Sequence, residues 1–157
     1  MSEHLAFHPF DACYLERSAQ WLQDPEICEL IDAPPFSAER QLLWFESLPN
    51  RSDYLIWGVS LAGRPVGAVG LKGIGEGAAE YFGYLGDKSC WGRGLGRQLL
   101  AFAEQQALSL DLSLLRLRVL DGNSRALRLY QREDYHFCMR PDAQSRVMVK
   151  FLPPAPR

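Results

Sequence analysis

The chain opens with Leu5, Phe7 and Pro9 at alternate positions, which predicts a short strand. From Asp11 to Ile31 the rhythm changes. Tyr14, Leu15, Trp21, Leu22 and Ile27 recur at steps of three to four, the spacing of a helix with one apolar face. Asp24-Pro25 interrupts that run, because a residue before proline is driven out of the helical region, so two helices are expected. Asp32 to Phe36, DAPPF, reads as a loop. Ser37 then opens a third helix, SAERQLLWFESL, whose Leu42, Leu43, Trp44 and Phe45 supply apolar surface.

At Tyr54 the period shortens to two. YLIWGVSLAGRPVGAVGLKGI predicts two strands around the turn Ala62-Gly63-Arg64-Pro65. A second turn, Gly73 to Gly77, precedes a third strand, AEYFGYLG. A loop, DKSCWGRG, leads into a long helix from about Leu95 to Ser109. In LLRLRVL, Leu115, Leu117 and Val119 alternate with Arg116 and Arg118, the pattern of a half-exposed strand. Asn123 to Arg132 is helical, and YHFCMR and SRVMVKFL are closing strands. No repeat or long linker divides the chain, so residues 1–152 are expected to form one domain, with 153–157 an unstructured tail.

The 157 residues are 47% hydrophobic and 23% charged, a globular balance that argues against disorder. No run is long enough to cross a bilayer, and MSEHLAFHPFD lacks the basic and apolar segments of a signal peptide. A cytoplasmic protein with no membrane partner is expected. Cys13, Cys28, Cys90 and Cys138 form no C-x-x-C pair and stand apart from the histidines, which predicts free thiols and no metal. Net charge is −2 but unevenly placed: residues 1–60 carry −7 and the remainder +5. The acidic first part would draw a cationic ligand. The pI of about 5.9 argues against nucleic acid as a partner.

The segment that carries chemistry is Trp91-Gly92-Arg93-Gly94-Leu95-Gly96-Arg97, between a strand and a helix. Glycines let a ligand approach the backbone, the helix start offers unpaired N–H groups, and Arg93 and Arg97 add positive charge. Together these suit a pyrophosphate. A Walker A loop would end in Gly-Lys-Ser/Thr, whereas this one ends Gly96-Arg97-Gln98. A dinucleotide fingerprint would need a third glycine where Leu99 stands.

Trp91-Gly92-Arg93-Gly94-Leu95-Gly96 resembles the acetyl-CoA motif of the GNAT (Gcn5-related) N-acetyltransferases, written (Q/R)-x-x-G-x-(G/A). AEYFGYLGDKS resembles that family's fourth strand, and Asn123-x-x-Ala126-x-x-Leu129-Tyr130 its second motif. The order of elements agrees over nearly the whole chain. The form of the loop is most similar to the branch holding ribosomal-protein alanine and spermidine acetyltransferases. Trp91 departs from the Gln/Arg position, and Asp134-Tyr135 replaces the family's Gly-Phe. The resemblance implies the α/β GNAT fold, a mixed, mostly antiparallel central sheet of six to seven strands with helices on both faces.

It also implies roles. Acetyl-CoA would be the cosubstrate, bound along Trp91, Gly92, Arg93, Gly94, Leu95, Gly96 and Arg97 without a metal. Tyr84, Leu85 and Gly86 would pair their backbone with the pantetheine arm, and an N–H near Leu85 would face the developing oxyanion. Tyr130 would be the general acid for the leaving sulfur. Asn123, seven residues earlier on the same helix face and about 10 Å away along the axis, would touch the pantetheine. Glu80, where some members carry a catalytic glutamate, would be the general base, unless water removes the proton. The acceptor would sit between the first two helices and the sheet, near Asp24, Glu26, Glu29, Asp32, Glu39 and Glu46, with Trp21, Phe36, Trp44 and Tyr81 as candidate walls.

The function implied is direct transfer of acetyl from acetyl-CoA to a primary amine, a cationic small molecule or a protein amine. Two alternatives stand beside it: acetylation of a nucleotide-linked amino sugar, and a non-catalytic acyl-CoA sensor. A homodimer is compatible with all three.

Overall fold

A computed structural model describes residues 3–31 and 33–153. The chain runs β1 (Leu5–Pro9), α1 (Ala12–Trp21), α2 (Pro25–Leu30), α3 (Ala38–Ser47), β2 (Tyr54–Leu61), β3 (Arg64–Gly75), β4 (Ala78–Leu85), α4 (Gly96–Ser109), β5 (Leu114–Leu120), α5 (Ser124–Arg132), β6 (His136–Met139) and β7 (Ser145–Phe151). Single 3-10 turns occupy Leu48–Asn50 and Lys88–Cys90. The first three helices begin where side chains satisfy their free N–H groups. The carboxylate of Asp11 accepts from Tyr14, that of Asp24 from Glu26, and the Ser37 hydroxyl oxygen from Arg40. Asp24-Pro25 splits the helical run as its sequence predicts, with the proline at the first turn of α2.

The seven strands form one sheet in the order β1-β2-β3-β4-β5-β7-β6. Every neighbouring pair is antiparallel except β4 and β5, which are parallel. This is the mixed, mostly antiparallel α/β sheet that the sequence resemblance implies. The β2–β3 hairpin turns through Ala62 and Gly63, both at positive φ. That left-handed pair matches the right-handed twist of the flanking strands.

The β4–β5 pair gives the fold its opening. Pairing runs only from Ala78–Leu114 to Glu80–Arg116, and then the strands part. Beyond Glu80, β4 has β3 on one side and no strand on the other, since β5 continues instead against β7. A wedge therefore opens in the middle of the sheet.

Alternation sets which residues face which helices. Val59, Val69, Leu71, Ala79, Tyr81, Leu115, Leu117 and Met148 are buried together with Leu99, Leu100, Ala103 and Ala107 of α4. Each large aliphatic chain in this cluster contributes about 1.5–3 kcal/mol by leaving water. On the opposite face the first three helices cover β2, β3 and β4. There Tyr14 lies so close over Gly58 that an added Cβ would come 2.4 Å from its ring. The tip of β1 is tied to α4 through Gln98, whose side chain accepts from the Leu5 amide at 2.8 Å and donates to the Glu3 carbonyl at 2.7 Å.

Candidate active site

Two cavities border β4. The larger, about 1090 Å³, fills the wedge and runs out over the start of α4 and along α5. The smaller, about 350 Å³, lies between the sheet and the first three helices. Gly83 and Tyr84 of β4, with Ile31 after α2, line both.

The glycine loop forms the floor of the larger cavity. Gly92 and Gly94 hold φ values of 75° and 77°, a left-handed backbone that a side chain would strain. A Cβ on Gly94 would meet nothing within 4 Å, so the loop presents bare backbone to open space. Helix α4 starts at Gly96 with no side-chain cap, leaving its first N–H groups for a ligand. Arg97, Arg125, Arg128 and Arg132 line the same space. Backbone donors, a helix start and four guanidinium groups fit the phosphates of a CoA ester.

Trp91, Gly92, Gly94, Leu95, Gly96, Arg97, Tyr84, Leu85, Asn123 and Tyr130 all line this cavity, as the motif implies for a CoA ester. Two residues expected there do not line it. Arg93 turns back to the N-terminus, pairing with the Glu3 carboxylate and donating to the Ser89 carbonyl at 3.2 Å. Gly86 is buried, its N–H donates to the Val66 carbonyl at 2.7 Å, and a Cβ there would strike the Trp21 indole at 2.2 Å. Its role is close packing of α1 on the strand end. The Leu85 carbonyl is also engaged, accepting from the Trp91 indole N–H at 2.7 Å. Trp91 thus braces the strand that borders the wedge.

Tyr130 sits at the junction of α5 and the wedge. Its ring stands edge-on to Tyr81 at 6.3 Å and tilted to Tyr135 at 6.0 Å. Burial pushes its hydroxyl up to about 12. Asp134 takes φ 70°, the left-handed turn for which the family uses glycine, and the Tyr135 amide closes onto the Tyr130 carbonyl at 2.9 Å. This turn fixes the end of the helix that carries Tyr130. Asn123 caps α5, its side-chain oxygen accepting from the Ala126 amide at 3.2 Å, which leaves its amide N–H groups for the cavity.

Glu80 lies on the other face of β4, at the root of the wedge. Its carboxylate is held by Lys72 at 3.2 Å and Arg116 at 3.9 Å, and it lines neither cavity. The acidic residues expected around the acceptor are also elsewhere. Asp24 and Glu26 bind Lys88 at 2.7 and 3.2 Å, and the Lys88 ammonium holds the Asp24 carboxyl below its usual range. Glu29, Glu39 and Glu46 are exposed and absent from the smaller cavity, while Asp32 lies outside the described residues. Of the expected wall residues, Phe36 and Trp44 line the smaller cavity; Trp21 packs on Gly86, and Tyr81 faces the larger one. Sequence reasoning missed Arg125, Arg128 and Arg132, although their spacing of three and four marks one helix face.

The family model for acetyltransferases of the GNAT family matches residues 15–135, most of the chain, including the glycine loop and the Asn123–Tyr130 helix. The chain belongs to the GNAT acetyltransferase family. It is an acetyl-CoA-dependent N-acetyltransferase by that membership, with acetyl-CoA as its cosubstrate. No curated protein sequence matches it. Among solved structures it is similar to a domain from Methanocaldococcus jannaschii, with TM-score 0.85 and 18% identity over 96% of this chain and all of that one. It is also similar to spermidine N-acetyltransferase from Vibrio cholerae in complex with CoA and spermine, with TM-score 0.83 and 18% identity over 94% and 95% of the two chains. An aminoglycoside acetyltransferase in complex with coenzyme A gives 0.78 and 20% over the same shares. At these identities the likeness speaks for the GNAT fold. No described helix is long and apolar enough to cross a membrane.

Proposed function

We propose that this GNAT enzyme acetylates a primary amine by direct transfer where its two cavities meet. The observation that carries the reading is the shared border: Gly83 and Tyr84 line both the space suited to a CoA ester and the space beneath the first three helices. Acetyl-CoA supplies an acetyl thioester, whose carbonyl carbon an amine can attack with release of thiol.

The chain's own groups divide the work. The glycine loop, the start of α4 and Arg97, Arg125, Arg128 and Arg132 bind phosphate. The unpaired edge of β4 from Tyr81 to Leu85 offers backbone groups to the pantetheine and to the oxyanion as charge develops. Asn123 presents its free amide N–H groups to the same arm. Tyr130 donates a hydrogen bond to the departing sulfur. A hydroxyl with a pKa of about 12 stays protonated at every working pH. It is too weak an acid to give its proton up fully to a thiolate near 8.5. Its contribution is to stabilise charge on sulfur, while the C–N bond forms and the C–S bond breaks. The proton shed by nitrogen completes the thiol, so the products are an amide and free CoA. Glu80, already held by two cations, anchors Lys72, and water takes the proton that the ammonium loses before attack.

The test is initial-rate kinetics on purified protein with acetyl-CoA and a panel of primary amines. Thiol release should match N-acetylated product one to one, and reciprocal plots should intersect as a ternary complex requires. Acetyl-CoA bound tightly with no thiol released by any amine would leave a sensor module instead. Parallel plots would put an acetyl-enzyme in place of direct transfer.

A further inference from the structure

The lining of the smaller cavity says which amines fit, on the footing that the chain acetylates amines at all. We infer that the acceptor is a compact monoamine on an apolar, preferably aromatic, body, and that a second cationic group excludes an amine from the site. One wall is a continuous run of rings. Phe10 meets Trp44 edge-on at 5.6 Å, Trp44 meets Tyr54 at 5.8 Å, and Tyr54 meets Phe82 at 5.4 Å. The volume, about 350 Å³, lies near the lower end of small-molecule sites and suits a compact acceptor.

Charge decides the rest. Among the described residues the charged groups lining this space are Arg40 and Lys72, both cationic. Arg40 is steadied by the Pro35 carbonyl at 2.8 Å, and Lys72 stands 5.8 Å over the Phe82 ring with Glu80 behind it. An amine entering such a place loses hydration and meets like charge, and both favour its neutral form. The neutral form is the nucleophile, so the cavity prepares the amine without a dedicated base. The same physics works against a polyamine or an aminoglycoside. Each further ammonium would leave water for a space whose described charges repel it.

The experiment measures thiol release at saturating acetyl-CoA with 2-phenylethylamine and tryptamine against 1,3-diaminopropane and spermidine. The aromatic monoamines should exceed the polyamines in kcat/KM by about 100-fold. Lys72→Met should shrink that preference by about tenfold, through better use of the diamine. Turnover of spermidine at or above the rate of phenylethylamine, or turnover confined to a nucleotide-linked amino sugar, overturns the inference and leaves acetyl transfer standing. Silence from every amine defeats acetyl transfer. In that case calorimetry of phenylethylamine on the CoA-loaded protein decides: binding lost in Phe82→Ala supports the cavity's preference, and no binding overturns it.

Discussion

The two cavities on either side of β4 solve opposite problems with opposite materials. The larger suits a highly charged cosubstrate, and much of its surface is bare backbone. Gly92 and Gly94 adopt left-handed conformations, α4 begins uncapped, and four arginines stand around the space. The smaller, proposed as the acceptor site, would hold a nucleophile that works only without its charge. It is built from Phe10, Trp44, Tyr54 and Phe82, with Arg40 and Lys72 as its described charged groups. Anion binding by backbone needs a fixed geometry, and fixed geometry leaves a motif. Apolar binding by side chains needs only rings that touch, brought from three separate elements and a loop, and leaves none.

If that contrast is right, the two sites should fail separately. The largest effect is expected from Gly94→Glu. It places a Cβ at φ 77° and a carboxylate in the phosphate cradle. Strain and like charge together should weaken acetyl-CoA by about 100-fold or more, read by calorimetry, while phenylethylamine binding is spared. Next comes Tyr130→Phe, which keeps the ring against Tyr81 and Tyr135 and removes the hydroxyl. kcat should fall by about 100-fold with acetyl-CoA affinity nearly unchanged, the pattern of an interaction made in the transition state. Because burial raises this hydroxyl to about 12, wild-type kcat should show no falling limb from its ionisation below about pH 11. Phe82→Ala removes one ring of the wall and should raise KM for the aromatic amine by about tenfold, leaving acetyl-CoA binding untouched. Glu80→Gln should do least, a change in kcat within about threefold and an unshifted pH profile. A hundredfold loss there, with a missing acidic limb, would restore Glu80 as the base.

What could be read from the sequence follows the same division. The hairpin and the loop-to-helix joint at Gly94–Gly96 leave local marks, because each demands particular backbone conformations. Asp134 was legible as the residue standing where the family has glycine. Long-range pairing was not. The −7 charge of residues 1–60 suggested an acidic acceptor site, but Asp24 and Glu26 are spent on Lys88, and Glu29, Glu39 and Glu46 face solvent. Arg93 looked like a phosphate ligand from its place in the motif, yet Glu3, ninety residues earlier, holds it. Gly86 looked like part of the pantetheine edge, and the sequence did not show that the Trp21 indole packs against it. A charge count or a motif position cannot show which partner arrives from a distant element.

The central claim is that the two cavities open onto one another at Gly83 and Tyr84. A bisubstrate conjugate tests it most directly: phenylethylamine joined through an acetyl bridge to the sulfur of CoA, its affinity measured by calorimetry on wild type, Gly94→Glu and Phe82→Ala. The account predicts that the conjugate binds at least about 100-fold more tightly than CoA alone, since the second site is reached at high effective concentration. It predicts that Phe82→Ala removes much of that gain, whereas Gly94→Glu weakens CoA and the conjugate alike. A conjugate that binds no better than CoA, and is indifferent to Phe82→Ala, would mean that the two spaces do not meet and that acetyl transfer takes another path.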